Sequence, residues 1–151
     1  MNTYRERLVP PPLVFVALLM VVPASVLVFL PINVPVGWIV GIGLFVAFGL
    51  ALWFGSPVMA VDDTGFHAGR AVLYPSEIGT TAAFSAEEAT AERGVRLDAR
   101  AWTLFRGWVK PVLKIELTDL SDPAPYWLVS TRHPRKLSQA IDGIRPRTPG
   151  R

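Results

Sequence analysis

Hydrophobic and polar positions divide the chain into two parts. Between Arg7 and Asp62 no side chain is charged, and residues 13–30 and 36–54 are apolar almost throughout. From residue 58 onwards, short runs alternate between apolar and polar side chains. The first pattern is typical of membrane-spanning helices, and alternation with a period of two indicates β-strands. The pattern therefore predicts a membrane segment followed by a small β-rich domain.

The uncharged stretch is long enough for two crossings of a bilayer. A helix needs about 20 residues to cross about 30 Å of hydrocarbon. The run Pro10–Pro12 precedes the first candidate, Pro31 and Pro35 separate it from the second, and Gly55-Ser56-Pro57 ends the second. Such residues interrupt helices or mark their ends. We predict spans over residues 11–30 and 36–54, which form an antiparallel hairpin within residues 11–57.

Two further features bear on this hairpin. Pro23 predicts a kink in the first span. Neither span contains an ionisable residue, which argues against a transporter or channel, because ion and proton paths through membranes need such groups.

The positions of the arginines predict the orientation. Arg5 and Arg7 precede the first span, and the loop 31–35 contains neither Lys nor Arg. By the positive-inside rule we expect both termini to be cytoplasmic, which predicts a multi-pass protein of the inner (plasma) membrane with residues 1–10 as a cytoplasmic segment. A signal peptide with residues 13–22 as its apolar core is the alternative. A second span would still hold its product in the membrane.

Small residues recur along the second span. Small side chains let two helix backbones approach closely, so this pattern predicts helix–helix packing within the hairpin or between protomers. The general enrichment of Gly in membrane helices is the simpler explanation. The predicted packing residues are Gly37, Gly41, Gly43, Ala47, Ala51 and Gly55.

Residues 58–144 are predicted to form a mainly antiparallel β domain. Turn residues 62–65 separate two extended runs, and a Pro-rich turn separates residues 112–118 from residues 126–131. Ser85 and Glu88 have the spacing of a capping box, which predicts a short helix. Residues 100–109 fit no single pattern.

The domain is predicted to end with an amphipathic helix. Pro134 stands where a helix begins, and four apolar residues follow at helical spacing: Leu137, Ala140, Ile141 and Ile144. Residues 145–151 form a basic tail. The fold class is therefore membrane α+β, and the strands closed by one helix resemble bacterial pleckstrin-homology-like (PH-like) domains of small membrane proteins.

Several short motifs are similar to those of one bacterial family. They are Tyr4-Arg5-Glu6-Arg7-Leu8, Gly69-Arg70-Ala71, Arg106-Gly107-Trp108-Val109 and, above all, the run from Asp122 to Arg132. These motifs resemble the actinobacterial membrane family called domain of unknown function 3093 (DUF3093), and the similarity spans nearly the whole chain. The resemblance implies a two-span membrane protein with a cytoplasmic domain and no established activity.

The residue types argue against catalysis. The chain has no cysteine, and its two histidines are His67 and His133. Ser130 and Thr131 precede His133, but neighbouring residues of a strand point to opposite faces, which disfavours a catalytic pair. The pairs of aspartates fall where turn formation already explains them. We therefore predict that the protein is not an enzyme and holds no metal or cofactor.

Charge is unevenly distributed, although the formal net charge is only +3. The charged residues within 62–92 are mostly acidic, whereas those within 93–114 and 132–151 are mostly basic. Basic surfaces next to a membrane attract anionic lipids. Nucleic-acid binding is another use of basic clusters, which the membrane tether and the acidic segment disfavour.

Aromatic residues beside arginines are typical of interfaces. We predict a non-enzymatic membrane-anchored binding or scaffold module whose domain engages a protein partner or anionic lipid headgroups. The alternative is a structural subunit or assembly factor of a larger membrane complex, or a homo-oligomer, joined through the hairpin. Alternation along the last strand places Trp127 inward and Tyr126 nearer Arg132. The predicted binding residues are Arg106, Trp108, Tyr126, Trp127 and Arg132.

Overall fold

The computed structural model describes residues 4–119 and 121–146, which belong to two compact units. Residues Val9–Pro57 form the hairpin unit. The β unit combines the residues before Val9 with those after Pro57. Most of the predicted basic tail, residues 147–151, lies outside the described residues.

The hairpin unit contains α1 (Pro12–Leu19), α2 (Val21–Phe29) and α3 (Val34–Phe54). Pro12–Phe29 and Val34–Phe54 have mean hydropathies of 2.6 and 2.2, so both are long and apolar enough to cross a membrane. The first of them is interrupted at Met20. This break lies one turn before Pro23, whose ring nitrogen has no hydrogen to donate to the carbonyl of Leu19.

The second apolar helix begins two residues earlier than expected. Asn33 is its N-cap, and the Asn33 side chain accepts a hydrogen bond from the Val36 backbone N–H at 3.4 Å. Pro35 lies within the first turn, where a missing backbone N–H costs nothing. The predicted start at residue 36 was therefore wrong, because Pro35 is a helix-starting residue here and not part of the loop.

The first sheet of the β unit is an antiparallel meander. It consists of β1 (Tyr4–Arg7), β2 (Val58–Asp62), β3 (Gly65–Ala68) and β4 (Ala71–Leu73), paired in that order. Gly65, the first residue of β3 after the turn, has a φ of 147°, and a Cβ there would lie 2.4 Å from the Leu73 carbonyl oxygen. Only glycine fits this turn.

Strand β1 pairs with β2, so the chain segments before and after the hairpin unit lie side by side in one sheet. It precedes α1 in the chain, and its partner β2 follows α3, with Tyr4 opposite Val61 and Arg7 opposite Val58. The sequence pattern did not reveal this strand, because four residues carry too little periodicity and the partner strand lies beyond the whole hairpin. Residues 4–7 are thus an integral part of the β unit.

The second sheet has the order β5-β7-β8-β6. Strands β7 and β8 form the predicted C-terminal hairpin, and β6, from the ambiguous segment, pairs in parallel with β8. A helix α4 follows β5, and α5 ends the fold. The elements are β5 (Ile78–Phe84), α4 (Ala86–Arg93), β6 (Trp102–Leu104), β7 (Val112–Leu117), β8 (Tyr126–Ser130) and α5 (Pro134–Ile144), with a short 3-10 turn at Pro75–Glu77.

The order of elements confirms the coarse prediction: an apolar helical hairpin, then antiparallel and mixed sheets, then a C-terminal helix. The predicted capping box does not form. Ser85 is the N-cap of α4, but its side chain makes no capping hydrogen bond. Ala86 directly after it has a φ of 50°, so the first turn departs from the geometry that brings an N-cap hydroxyl to a backbone N–H.

The main core lies between the two sheets and α5. Met59 and Phe66 of the first sheet and Leu113 and Val129 of the second are fully buried there. The predicted apolar face of α5 closes this core, with Leu137, Ala140 and Ile141 buried and Ile144 partly buried. A smaller cluster on the other face of the second sheet contains Ala89, Val112, Tyr126 and Leu128.

Candidate functional site

Residues from three distant parts of the chain meet where β1 leads towards the hairpin. They come from β1, from the turn between β6 and β7, and from the residues that follow β8. We call them the junction cluster, which consists of Tyr4, Glu6, Leu8, Trp108, Thr131 and Arg132.

Glu6 is at the centre of the junction cluster. Its Oε2 accepts hydrogen bonds from the Tyr4 hydroxyl and the Thr131 hydroxyl, both at 2.6 Å. Its Oε1 accepts a hydrogen bond from the Arg132 backbone N–H at 3.0 Å and lies 3.7 Å from the Arg132 guanidinium. The Glu6 side chain is only 9% exposed, so this carboxylate is held almost entirely by protein donors.

The hydroxyl of Tyr4 is shielded as well. It lies 3.2 Å from the Thr131 hydroxyl in addition to its bond with Glu6. Burial, and next the hydrogen bond that it donates to Glu6, raise the pKa of Tyr4 well above its usual value. Tyr4 therefore remains a neutral donor throughout the physiological pH range.

Trp108 and Arg132 bind the last carbonyls before the hairpin unit. The indole N–H of Trp108 donates to the Leu8 carbonyl at 3.2 Å, and the Arg132 guanidinium donates to the Arg7 carbonyl at 3.3 Å. Trp108 is partly buried against the main core, whereas the Arg132 side chain is 38% exposed. Trp108 is therefore part of the packed interior. The guanidinium of Arg132, in contrast, is accessible to solvent.

Arg106 lies next to this cluster. Its backbone N–H donates to the Ser130 hydroxyl at 3.3 Å, and its guanidinium donates to the Phe105 carbonyl at 3.0 Å. Ser130 itself is fully buried. Of the predicted binding residues, Arg106, Trp108 and Arg132 therefore come close together around the end of β8.

Trp127 lies in the main core, as expected from strand alternation. Its ring stacks on Trp102 at a centroid distance of 4.1 Å and meets Phe66 edge-on at 6.4 Å. It is 7% exposed. Its role is to fill the space between the sheets, and it is not available as a surface anchor.

The expectation that Tyr126 is exposed near Arg132 was wrong. Tyr126 is 7% exposed, and its hydroxyl accepts a hydrogen bond from the Asp98 backbone N–H at 2.8 Å. The amino group of Lys114 lies 4.2 Å from the ring centroid. Alternation predicted the correct face, but that face is covered by α4 and the segment after it. Tyr126 also begins β8, whereas Arg132 follows its end.

Sequence reasoning did not select Tyr4, Glu6 or Thr131. The only signal was their presence in the motifs Tyr4-Arg5-Glu6-Arg7-Leu8 and Asp122 to Arg132, which carry the family resemblance. The structure shows why two motifs at opposite ends of the chain belong together: Glu6 binds Thr131 and Arg132 directly.

The hydroxyl, imidazole and carboxyl groups considered for chemistry are engaged in structural contacts. Ser130 and Thr131 are fully buried, and Thr131 accepts a hydrogen bond from the His133 backbone N–H at 3.1 Å. His67 of β3 lies 3.2 Å from Asp62, the last residue of β2. The Thr64 hydroxyl, which donates to Asp62, lowers the pKa of that carboxyl to about 2.

Residues 4–119 and 121–146 contain no group of three or more His, Cys, Asp and Glu that could hold a metal ion. The contacts of the junction cluster hold β1 against the end of β8.

The predicted packing residues of α3 fall into two sets. Gly37 and Gly41 are buried, and a Cβ at these positions would lie 2.8 Å from the Val26 Cα and 2.9 Å from the Val22 Cα. They allow α2 and α3 to pack closely. Gly43 lies about 200° around the helix from Gly41, and a Cβ there would meet nothing within 4 Å. Ala47, Ala51 and Gly55 are likewise exposed.

Comparison with known proteins adds one finding. The model of a family described as "Protein of unknown function (DUF3093)" matches residues 3–141. No curated protein and no solved structure matches the chain. The matched range includes every member of the junction cluster.

Proposed function

The chain belongs to the DUF3093 family, whose description assigns no function, and we propose that it is a non-enzymatic, membrane-anchored binding module. Its hairpin unit crosses the plasma membrane of a bacterium twice, and its β unit lies in the cytoplasm. Two four-stranded sheets closed by α5 support a PH-like fold for the β unit. The ligand of the β unit is a protein partner or a lipid headgroup.

The pairing of β1 with β2 is the observation that carries the membrane topology of this proposal. One strand precedes the two apolar helices and the other follows them, yet four residue pairs align between them. Pairing requires both strands in one compartment, so an even number of crossings separates them. Arg5 and Arg7 lie on β1, and the positive-inside rule assigns that compartment to the cytoplasm.

Cysteine labelling in intact cells tests this topology, and the chain offers a cysteine-free background. We expect a cysteine in place of Ile32, which is 78% exposed between α2 and α3, to react with a membrane-impermeant maleimide. A cysteine in place of Gln139, exposed on α5, should react only after the cells are permeabilised. Labelling of Gln139→Cys in intact cells, with Ile32→Cys protected, would exclude a cytoplasmic β unit.

A second candidate function is a structural subunit or assembly factor of a larger membrane complex. The exposed small residues Gly43, Ala47 and Ala51 favour it, because the close contact with α2 uses a different face of α3. Native electrophoresis of solubilised membranes distinguishes the two functions. We expect Ala47→Leu to leave the apparent mass of a binding module unchanged. Loss of a high-mass species in Ala47→Leu, with the β unit still folded, would instead support the assembly role.

A further inference from the structure

The register of the strands places the turns of the β unit at two opposite ends of its sheets. At one end, which we call the exit end, Arg7 lies opposite Val58, and the Gly69 N–H in the turn between β3 and β4 donates to the Val58 carbonyl at 2.9 Å. The Arg132 guanidinium donates to the Arg7 carbonyl, which places the end of β8 there too. The chain leaves the β unit from this end, at Leu8, and re-enters it at Val58.

The exit end is basic. Arg70 lies in the turn next to Gly69, Lys110 lies in the turn before β7, and Arg135 and Lys136 are in the first turn of α5. Thr131 binds the Pro111 carbonyl through its backbone N–H at 3.1 Å, which holds these turns side by side. The exposed cations at this end are Arg7, Arg70, Lys110, Arg132, Arg135 and Lys136.

Few carboxylates offset this charge at the exit end. Glu6 is enclosed in the junction cluster. Glu87 and Glu88, in the first turn of α4, lie at this end because Phe84 at the end of β5 pairs with Val112, but they are two exposed carboxylates beside six exposed cations. Within the described ranges, Arg70, Lys110, Arg135 and Lys136 form no ion pair, so their charges are available to an external ligand.

The opposite end of the β unit is acidic. It contains the turn between β2 and β3, the turn before β5 and the loop between β7 and β8. Its carboxylates are Asp62, Asp63, Glu77, Glu116, Asp119 and Asp122. Arg100 and Arg145, which lie there within the described residues, are already paired, Arg100 with Asp98 at 3.1 Å and Arg145 with Asp142 at 3.9 Å. The β unit therefore has opposite charges at its two ends.

We propose that the exit end binds the anionic phospholipid headgroups of the membrane that anchors the chain. This inference rests on the proposed function, because it requires the hairpin unit to be in a membrane. Two short connections, from Leu8 to Pro12 and from Phe54 to Val58, tether this end, and neither spans more than about 14 Å when fully extended. Chain length alone therefore limits how far the exit end can lie from the bilayer, and neither connection leaves from the acidic end.

The sign and placement of the charges favour lipid over an acidic protein as the ligand. The attraction of each cation to an anionic leaflet falls off within about 10 Å, and tethers of at most about 14 Å allow the exit end to come that close. Each Lys or Arg near such a surface changes the binding constant by about fivefold. An acidic protein, in contrast, is not kept near these cations by the tethers.

Energy transfer in proteoliposomes tests the proposal with the full chain. A donor dye is attached to Gln139→Cys, and the acceptor is a trace of headgroup-labelled lipid in vesicles of phosphatidylcholine with 30% phosphatidylglycerol. We expect at least about twofold more transfer to labelled phosphatidylglycerol than to labelled phosphatidylcholine. The preference should disappear in Arg135→Gln/Lys136→Gln and in high salt.

The matched control is Arg100→Gln/Arg145→Gln, which removes the same number of charges from the acidic end and should keep the preference. Equal transfer to the two lipids in the unmodified chain would overturn the proposal and leave an acidic protein as the ligand of this end. An unchanged preference in Arg135→Gln/Lys136→Gln would also overturn it. Failure of the topology itself is recognised separately, since maleimide would then reach Gln139→Cys in intact cells.

Discussion

Replacement of Glu6 by alanine is expected to lower the free energy of unfolding of the β unit by about 3 kcal/mol. The carboxylate accepts hydrogen bonds from Tyr4, from Thr131 and from the Arg132 backbone N–H. Thr131 is fully buried, so its hydroxyl would lose its strongest acceptor with no water to replace it. The loss should also release β1 from the end of β8.

Chemical denaturation of the purified full chain in detergent, followed by far-ultraviolet circular dichroism, measures this effect. Arg5→Ala is the matched control, since Arg5 lies on the same strand but points to the exposed side. It should change the free energy of unfolding by less than about 0.5 kcal/mol. Equal stability of Glu6→Ala and Arg5→Ala would show that the junction cluster does not hold β1 in place.

Trp127→Ala is expected to cost about 3 to 5 kcal/mol of stability, a large share of the total for a domain of this size. The ring stacks on Trp102 and meets Phe66 of the other sheet, so its removal opens a cavity between the two sheets. The surrounding strands are held by ladders of hydrogen bonds and cannot collapse fully into that space.

The same denaturation measurement compares Trp127→Ala with Val95→Ala. Val95 is 93% exposed, so its truncation should be nearly neutral. Arg132→Gln is informative beside them, because its partly exposed ion pair with Glu6 should contribute no more than about 1 kcal/mol. If Arg132→Gln destabilised the β unit as much as Trp127→Ala does, Arg132 would be scaffold and not a surface residue.

The local pattern of hydrophobic residues was sufficient to predict the elements whose periodicity is complete within one short segment. The two apolar helices, the hairpin of β7 and β8 and the buried face of α5 were all read from spacing alone. Each depends on hydrophobic periodicity, which repeats within one element and needs no knowledge of its neighbours. Alternation likewise assigned Trp127 and Tyr126 to opposite faces of β8.

Alternation could not show how many faces of a strand are covered. Tyr126 was expected at the surface because one buried face is the usual case in an antiparallel sheet. The second sheet is covered on both sides, by the first sheet and α5 on one face and by α4 on the other. A residue's exposure depends on which helix packs over it, and that is a property of the whole fold.

The sequence by itself determined the apolar hairpin, the hairpin of β7 and β8 and the closing helix, because hydrophobic periodicity acts on neighbouring residues. Only the tertiary structure decided that Glu6 meets Thr131 and Arg132, and that β1 pairs with a strand on the far side of the hairpin. It also decided that Arg7, Arg70, Lys110 and Arg132 gather at the exit end, although they lie far apart in the chain. These contacts join residues that are distant in sequence. They depend on how the strands pair and on their register, and hydrophobic periodicity within one element gives no information about either.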